Sequence, residues 1–191
     1  MAKTFTSSIA TPNTGDVLTA LVLDAAITTL NSHTVPPLMR ARRAAAQAIG
    51  ANSLIAINWD TADIATTDSG MWSPTSNKVT IQTAGVYLVT ATLNFLAGSG
   101  SGPYGMSIYV NPTYSGTGDT ATITAGTRIT GTLANLSSAT TQTVLSCTTL
   151  YSFAANDTVG VTGFQNSSAS VNIAAVNEQN TLSLVFVGRT S

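Results

Sequence analysis

Between Gly85 and Phe95 the chain switches between apolar and polar residues at nearly every step. Tyr87, Val89, Ala91, Leu93 and Phe95 fall on one side, and Thr90, Thr92 and Asn94 on the other. Successive strand side chains point to opposite faces, so this spacing predicts a half-buried strand over 86–96. Lys78-Val-Thr-Ile predicts a shorter strand at 78–82, joined to the first by a tight turn at Ala84-Gly85. The segment from Leu54 to Trp59 is apolar on both sides, with Leu54 and Ala56 on one and Ile55, Ile57 and Trp59 on the other. Tyr104, Met106, Ile108 and Val110 alternate with Gly105, Ser107, Tyr109 and Asn111. Further strands are predicted near 122–133, 141–153, 157–164, 169–175 and 181–188. Asp63–Trp72, Gly98–Pro103 and Pro112–Asp119 read as loops between them. Short strands punctuated by turn residues predict a mainly β chain folded as an antiparallel sandwich or jelly roll.

The first 37 residues follow a different rule. Ala20, Leu23, Ile27 and Leu30, with Leu21 beside them, recur at helical spacing behind Thr19 as an N-cap. The run stops at Asn31-Ser-His33, and Val35-Pro36-Pro37 forbids its continuation. A helix of about three turns is too short to be stable alone, so it must dock on something. The spacing therefore divides the chain into an anchor segment, 1–37, and a β domain, 38–191. Arg40–Ile49 carries conflicting signals. Ala and Arg are strong helix formers, but tertiary context overrides propensity. It is expected to be a strand.

The last strand has Leu182, Leu184 and Phe186 on one face but Val185 and Val187 on the other. A sheet with one face in water should show polar residues there. Strands 54–59 and 182–187 therefore read as covered on both faces.

Only 8% of the residues are charged, against about 25% in an ordinary soluble domain. A surface of hydroxyls and amides suits packing against copies of itself, where buried charges would be costly. The net charge of −1 gives no field to attract nucleic acid or an acidic membrane. No apolar run is long enough to cross a bilayer, and no apolar stretch after Lys3 reads as a signal peptide. Cys147 is the one cysteine and sits in a strand-like run, so it reads as a buried inert thiol.

Catalytic chemistry finds few residues to work with. His33 is the single histidine and has no Ser–Asp pair near it in sequence, and one His with one Cys cannot make a zinc site. No cofactor or metal is expected. Asp60, Asp63 and Asp68 read as hydrogen-bonding loop aspartates rather than calcium ligands. Asp119, Asp157 and Glu178 are the carboxylates a glycosidase would have to pair, but nothing marks them as a pair. Gly98-Ser-Gly-Ser-Gly lacks the Lys and helix of a phosphate loop. Arg40, Arg42 and Arg43 lack interleaved aromatics and read as a solvated or interface cluster.

Several of these segments carry a resemblance. Asn58-Trp59-Asp60, Asp68-Ser-Gly-Met-Trp72, Lys78-Val-Thr-Ile, Gly85-Val-Tyr-Leu-Val, Ile108-Tyr-Val-Asn111, Phe153-Ala-Ala-Asn-Asp-Thr-Val159 and Leu182-Ser-Leu-Val-Phe occur in that order. Together, across 40–191, they resemble the trimeric jelly rolls built like tumour necrosis factor and the complement globular head. Arg40–Ile49 resembles the first strand of phage-encoded members. The resemblance implies a TNF-like jelly roll that binds rather than catalyses, and a homotrimer. In such domains the first and last strands share the inner sheet, which lines the three-fold interface. Ile55, Ile57, Trp59, Tyr87, Val185 and Val187 are accordingly expected at the inner sheet and trimer interface. The chain lacks the collagen-like stalk of animal members and any acidic cluster that would certify a calcium site.

Gly15-Asp-Val-Leu-Thr-Ala20, the short helix, Asn31 and the Pro-Pro pair resemble the opening of bacteriophage minor tail and other virion proteins. That likeness implies a virion location, with Leu21, Leu23, Ile27 and Leu30 anchoring the chain to other virion proteins. It implies a tail-tip or fibre component whose exposed loops meet a host-surface glycan or protein: 98–104, with Tyr104, and 112–119, with Tyr114. A capsid decoration protein or head spike of the same fold is the alternative, and a wall-degrading tail hydrolase a more distant one.

Overall fold

Alternation in the sequence becomes alternation in burial. The computed structural model describes residues 36–64, 70–72, 76–96, 102–136, 142–167, 169–175 and 179–189, within a unit that runs from Pro36 to Ser191. The expected helix, with Leu21, Leu23, Ile27 and Leu30, and His33 after it, lie outside the described residues. The strands are β1 (Leu38–Arg42), β2 (Gln47–Ile49), β3 (Ser53–Ala56), β4 (Thr61–Ile64), β5 (Val79–Thr80) and β6 (Gly85–Phe95). They continue as β7 (Gly102–Ser115), β8 (Thr122–Leu136), β9 (Thr143–Phe153), β10 (Thr158–Gln165), β11 (Val171–Ile173) and β12 (Thr181–Gly188). A single 3₁₀ turn, Gly118–Thr120, is the helical element among the described residues.

Two antiparallel sheets face each other. One has seven strands in the order β2-β11-β6-β12-β1-β4, with β9 along the other edge of β6. The second has five, β3-β8-β7-β10-β5. Tyr87, Val89, Ala91, Leu93 and Phe95 of β6 are fully buried and meet Met106, Ile108, Val159 and Val161 from the five-stranded sheet in one core. The chain around Arg40–Ile49 is strand, not helix. Met39, Ala41 and Ile49 alternate into the core, and burial of that face outweighs the helix propensity of the alanines.

The Gly85-x-Tyr87 segment has a packing cause. The Tyr87 ring stands edge-on to Phe153 at 5.8 Å and to Phe186 at 5.3 Å, while its hydroxyl donates to the Thr83 carbonyl at 2.7 Å. A side chain on Gly85 would run into the Phe186 ring and the Gly188 carbonyl, so only hydrogen fits there.

The β7–β8 hairpin bends after Val110. Asn111 adopts φ 50°, the ladder register slips around Pro112–Thr113, and Gly126, at φ 135°, lets Pro112 approach closely. The bent tip reaches across β10. Ile55 pairs with Thr122, and the Ala56 N–H donates to the Ala121 carbonyl at 2.7 Å, while Ile57 N–H donates to Val161 of β10 at 2.8 Å.

Four expectations change. Segment 54–59 pairs with the five-stranded sheet, so the strand beside β12 is β1 instead. Asp63 belongs to β4 rather than to a loop. The strand after the Gly-Ser run starts at Gly102, and β7 continues to Ser115, so residues 112–115 are strand and the connection begins at Gly116.

Candidate functional site

The outward side chains of the seven-stranded sheet form a graded face. On β6 the residues between the buried ones are Val86, Leu88, Thr90 and Thr92. Register places Val185 opposite Leu88 and Leu88 opposite Leu150, while Leu38 pairs with Val185 from the other side. Four apolar residues thus cross four strands in one row. Leu150 and Val187 are 60% and 59% exposed, Val185 39% and Leu88 37%. The next two rows are Arg40–Ser183–Thr90–Thr148 and Arg42–Thr181–Thr92–Ser146. Their hydroxyls satisfy one another, Thr90 with Thr148 and Thr92 with Ser146, each at 3.2 Å. Among the described residues, seven large apolar side chains are exposed, and Leu88, Val144, Leu150, Val185 and Val187 share this one face. The other two, Leu54 and Leu133, sit on the opposite side of the sandwich. A row of leucine and valine beside self-satisfied hydroxyls can pack against a like surface. It holds no acid, base or nucleophile.

The remaining expected interface residues have other duties. Ile55 is 7% exposed, and Ile57, Trp59 and Tyr87 are fully buried within their own chain, so a neighbouring copy cannot reach them. Tyr104, expected on an exposed loop, is buried in β7 with its ring edge-on to Phe95 at 5.5 Å. Tyr114 is strand, not loop. Its hydroxyl donates to the Asn77 carbonyl at 3.3 Å, Lys78 lies over its ring, and Gly160 leaves room beneath it. Burial pushes the Tyr114 phenol well above its ordinary pKa. Neither tyrosine presents a free ring to a ligand.

The polar residues singled out above are structural too. Arg43 is buried, and its guanidinium donates to the carbonyls of Ala45, Asn58 and Ala46 and to the Asp119 carboxylate at 2.7 Å. Gln47 bridges the same region, donating to Ala56 and Asp119 carbonyls and accepting from the Asn58 N–H. Asp60 accepts from the Ala44 and Ala45 N–H groups and from the Thr61 hydroxyl. Burial works against its charge, but those donors and nearby Arg43 outweigh it and hold its carboxyl below the usual value. Asp157 accepts from Asn111 and from the Ala154 N–H, far from the Arg43–Asp119 pair in its bonding. Among the described residues no cluster of His, Cys, Asp or Glu could hold a metal ion. Cys147 is buried, and burial pushes its thiol up to about 11. Asp68 and Glu178 lie outside the described residues, as does the Asp63 side chain.

The fold as a whole is similar to known structures. The fold is a TNF-like jelly roll. Over 82% of this chain and 94% of the other, it is similar to Eiger TNF from S. frugiperda, with TM-score 0.59 and 12% identity. Murine APRIL matches with TM-score 0.56 and 10% identity over 79% of this chain and 98% of its own. The globular domain of zebrafish complement 1qA matches with TM-score 0.53 and 9% identity over 81% and 99%. A scan of protein-family models and a search of curated proteins find no match for the chain.

Sequence reasoning found Val185 and Val187 but missed Leu88 and Leu150. Each stands with one other apolar residue, Val86 on β6 and Val144 on β9, among Thr and Ser in the outward half of its strand. Only the cross-strand register, 185 to 88 to 150, makes them a row.

Proposed function

We propose that this chain is a non-enzymatic bacteriophage virion protein, a tail-tip or fibre component that trimerises through the outward face of its seven-stranded sheet and presents an adhesive head. The observation that carries the assembly half is the apolar row Leu38–Val185–Leu88–Leu150. Burying a large aliphatic side chain contributes about 1.5–3 kcal/mol, so water is a poor neighbour for such a row. The hydroxyl rows beside it are uncharged on β12, β6 and β9 and continue on β1 as Arg40 and Arg42. The jelly-roll fold supports the reading, because the sequence resemblance that implied the fold also implied a homotrimer. The virion half is supported by the likeness of residues 15–37 to the opening of phage virion proteins, with Leu21, Leu23, Ile27 and Leu30 as anchor.

The test is to locate the protein on purified particles with a labelled antibody. Label at the tail tip is expected. Label over the capsid would transfer the chain to a decoration role, and particles without label would end the virion reading.

A further inference from the structure

The opposite side of the sandwich carries a hollow. Because the β7–β8 hairpin bends across β10, a space of about 550 Å³ opens between β3, β10 and the later half of β8. That volume falls among sites for small organic ligands, roughly 300–1,000 Å³. Small residues set its base: Gly105 stands opposite Leu133 and Phe164, and Gly131 opposite Ser107. A side chain on Gly131 would collide with the Ser107 hydroxyl and the Met106 carbonyl. Leu54, Leu133 and Phe164 supply apolar surface, and Leu133 is 61% exposed.

The polar groups of the hollow are without protein partners. Some hydroxyls on these sheets pair off, as Thr90 does with Thr148 and Thr113 with Thr124. In the hollow, the hydroxyl of Ser107 bonds to no other described residue, while register sets the side chains of Thr130 and Thr132 on the opposite face, with Ile108 and Met106. Ser107 is nonetheless buried, 8% exposed, and opens onto this space. Arg128 also lines it, and no described acid pairs with its guanidinium. Asp60 and Asp119 are engaged with Arg43, and Asp157 with Asn111. The hollow therefore presents one positive charge, the Ser107 hydroxyl and apolar walls.

We propose that this hollow binds a carboxylated saccharide. The apolar face of a pyranose ring fits against Leu133 and Phe164. Ser107 exchanges hydrogen bonds with ring hydroxyls, and the planar guanidinium of Arg128 takes the carboxylate in a two-point contact. The site rests on the reading of the domain as an adhesive head and names the chemistry that head would recognise. It also moves recognition from Tyr104 and Tyr114 to the hollow between β3, β8 and β10.

The experiment is calorimetric titration of the full chain with a panel of uronic-acid and sialic-acid oligosaccharides, each beside its neutral methyl ester, with inorganic phosphate as a further arm. At least one acid form should bind, its ester about tenfold more weakly or not at all. Arg128→Gln should abolish that preference, and Ser107→Ala should weaken binding of acid and ester alike, with melting temperatures unchanged. No binding across the panel, equal binding of acid and ester, or an unchanged preference in Arg128→Gln overturns the proposal. Binding of phosphate alone overturns the saccharide assignment. Assembly mass, measured on the same sample, is a separate readout: a trimer that binds no panel member defeats this inference while leaving the assembly reading intact.

Discussion

The guanidinium of Arg43 meets the carboxylate of Asp119 at 2.7 Å, joining loops 76 residues apart in the chain. Arg43 is buried and Asp119 is half exposed, so the two ends of the pair are unequal. Removing the arginine takes away bonds to three carbonyls as well as the carboxylate, and it unties the β1–β2 connection from the hairpin tip. Arg43→Ala is expected to cost about 3 kcal/mol in chemical denaturation. Asp119→Asn should cost less, because three carbonyl acceptors of Arg43 remain.

Acid should weaken the same corner through Asp60. Its carboxyl is held below the ordinary value of 3.8, so the folded state favours the charged form. The stabilisation is complete above that value and is lost as pH falls through the lower folded value. Thermal melts from pH 6 down to pH 2 should show the loss, and Asp60→Asn should flatten the acid limb. An unchanged acid limb in the variant would remove Asp60 from the account.

Tyr104 separates packing from recognition. Its ring is buried against Phe95, and its hydroxyl is buried with no hydrogen-bond partner among the described residues. Tyr104→Phe should therefore leave the melting temperature unchanged or raise it, since nothing polar is lost. Tyr104→Ala should cost about 3–5 kcal/mol by opening a cavity. Equal, negligible effects of both changes would return Tyr104 to the surface.

Cys147 should react only with unfolded chain. With its thiol pushed up to about 11 and its sulfur buried, little thiolate exists at pH 8. A coloured disulfide reagent should label it slowly in buffer and at once in denaturant. Rapid native labelling would contradict the burial.

The strands were largely legible because the core face repeats with period two, and Tyr87 to Phe95 announces it without help. What the alternation could not reveal was partnership. Leu54–Trp59 buries Ile55, Ile57 and Trp59 but leaves Leu54 exposed, and its edge pairs with the bent hairpin tip through residues such as Ile55 and Thr122 that are distant in sequence. Tyr104 misled because Gly98–Pro103 has loop composition, whereas β7 begins at Gly102 and turns the ring inward. Tyr114 misled for a related cause, since strand continues past Pro112 through slips in register. Arg128 and Ser107 carried no signal at all until the bend brought β3, β7 and β8 around one space.

The row on the seven-stranded sheet can be broken without touching the core. Leu88 points outward and is flanked by Val185 and Leu150. Leu88→Arg should leave the β signature in circular dichroism intact, because an exposed site tolerates the charge. In an assembly it would place like charges together in a dry interface, at a cost of several kcal/mol per chain. The variant should therefore be a folded monomer.

The decisive number is the mass of the unmodified full chain in solution, by light scattering at micromolar concentration. Three times the 19.5 kDa of one chain is the expected value. A folded particle of single-chain mass, unchanged as concentration rises, would contradict assembly through Val185, Leu88 and Leu150.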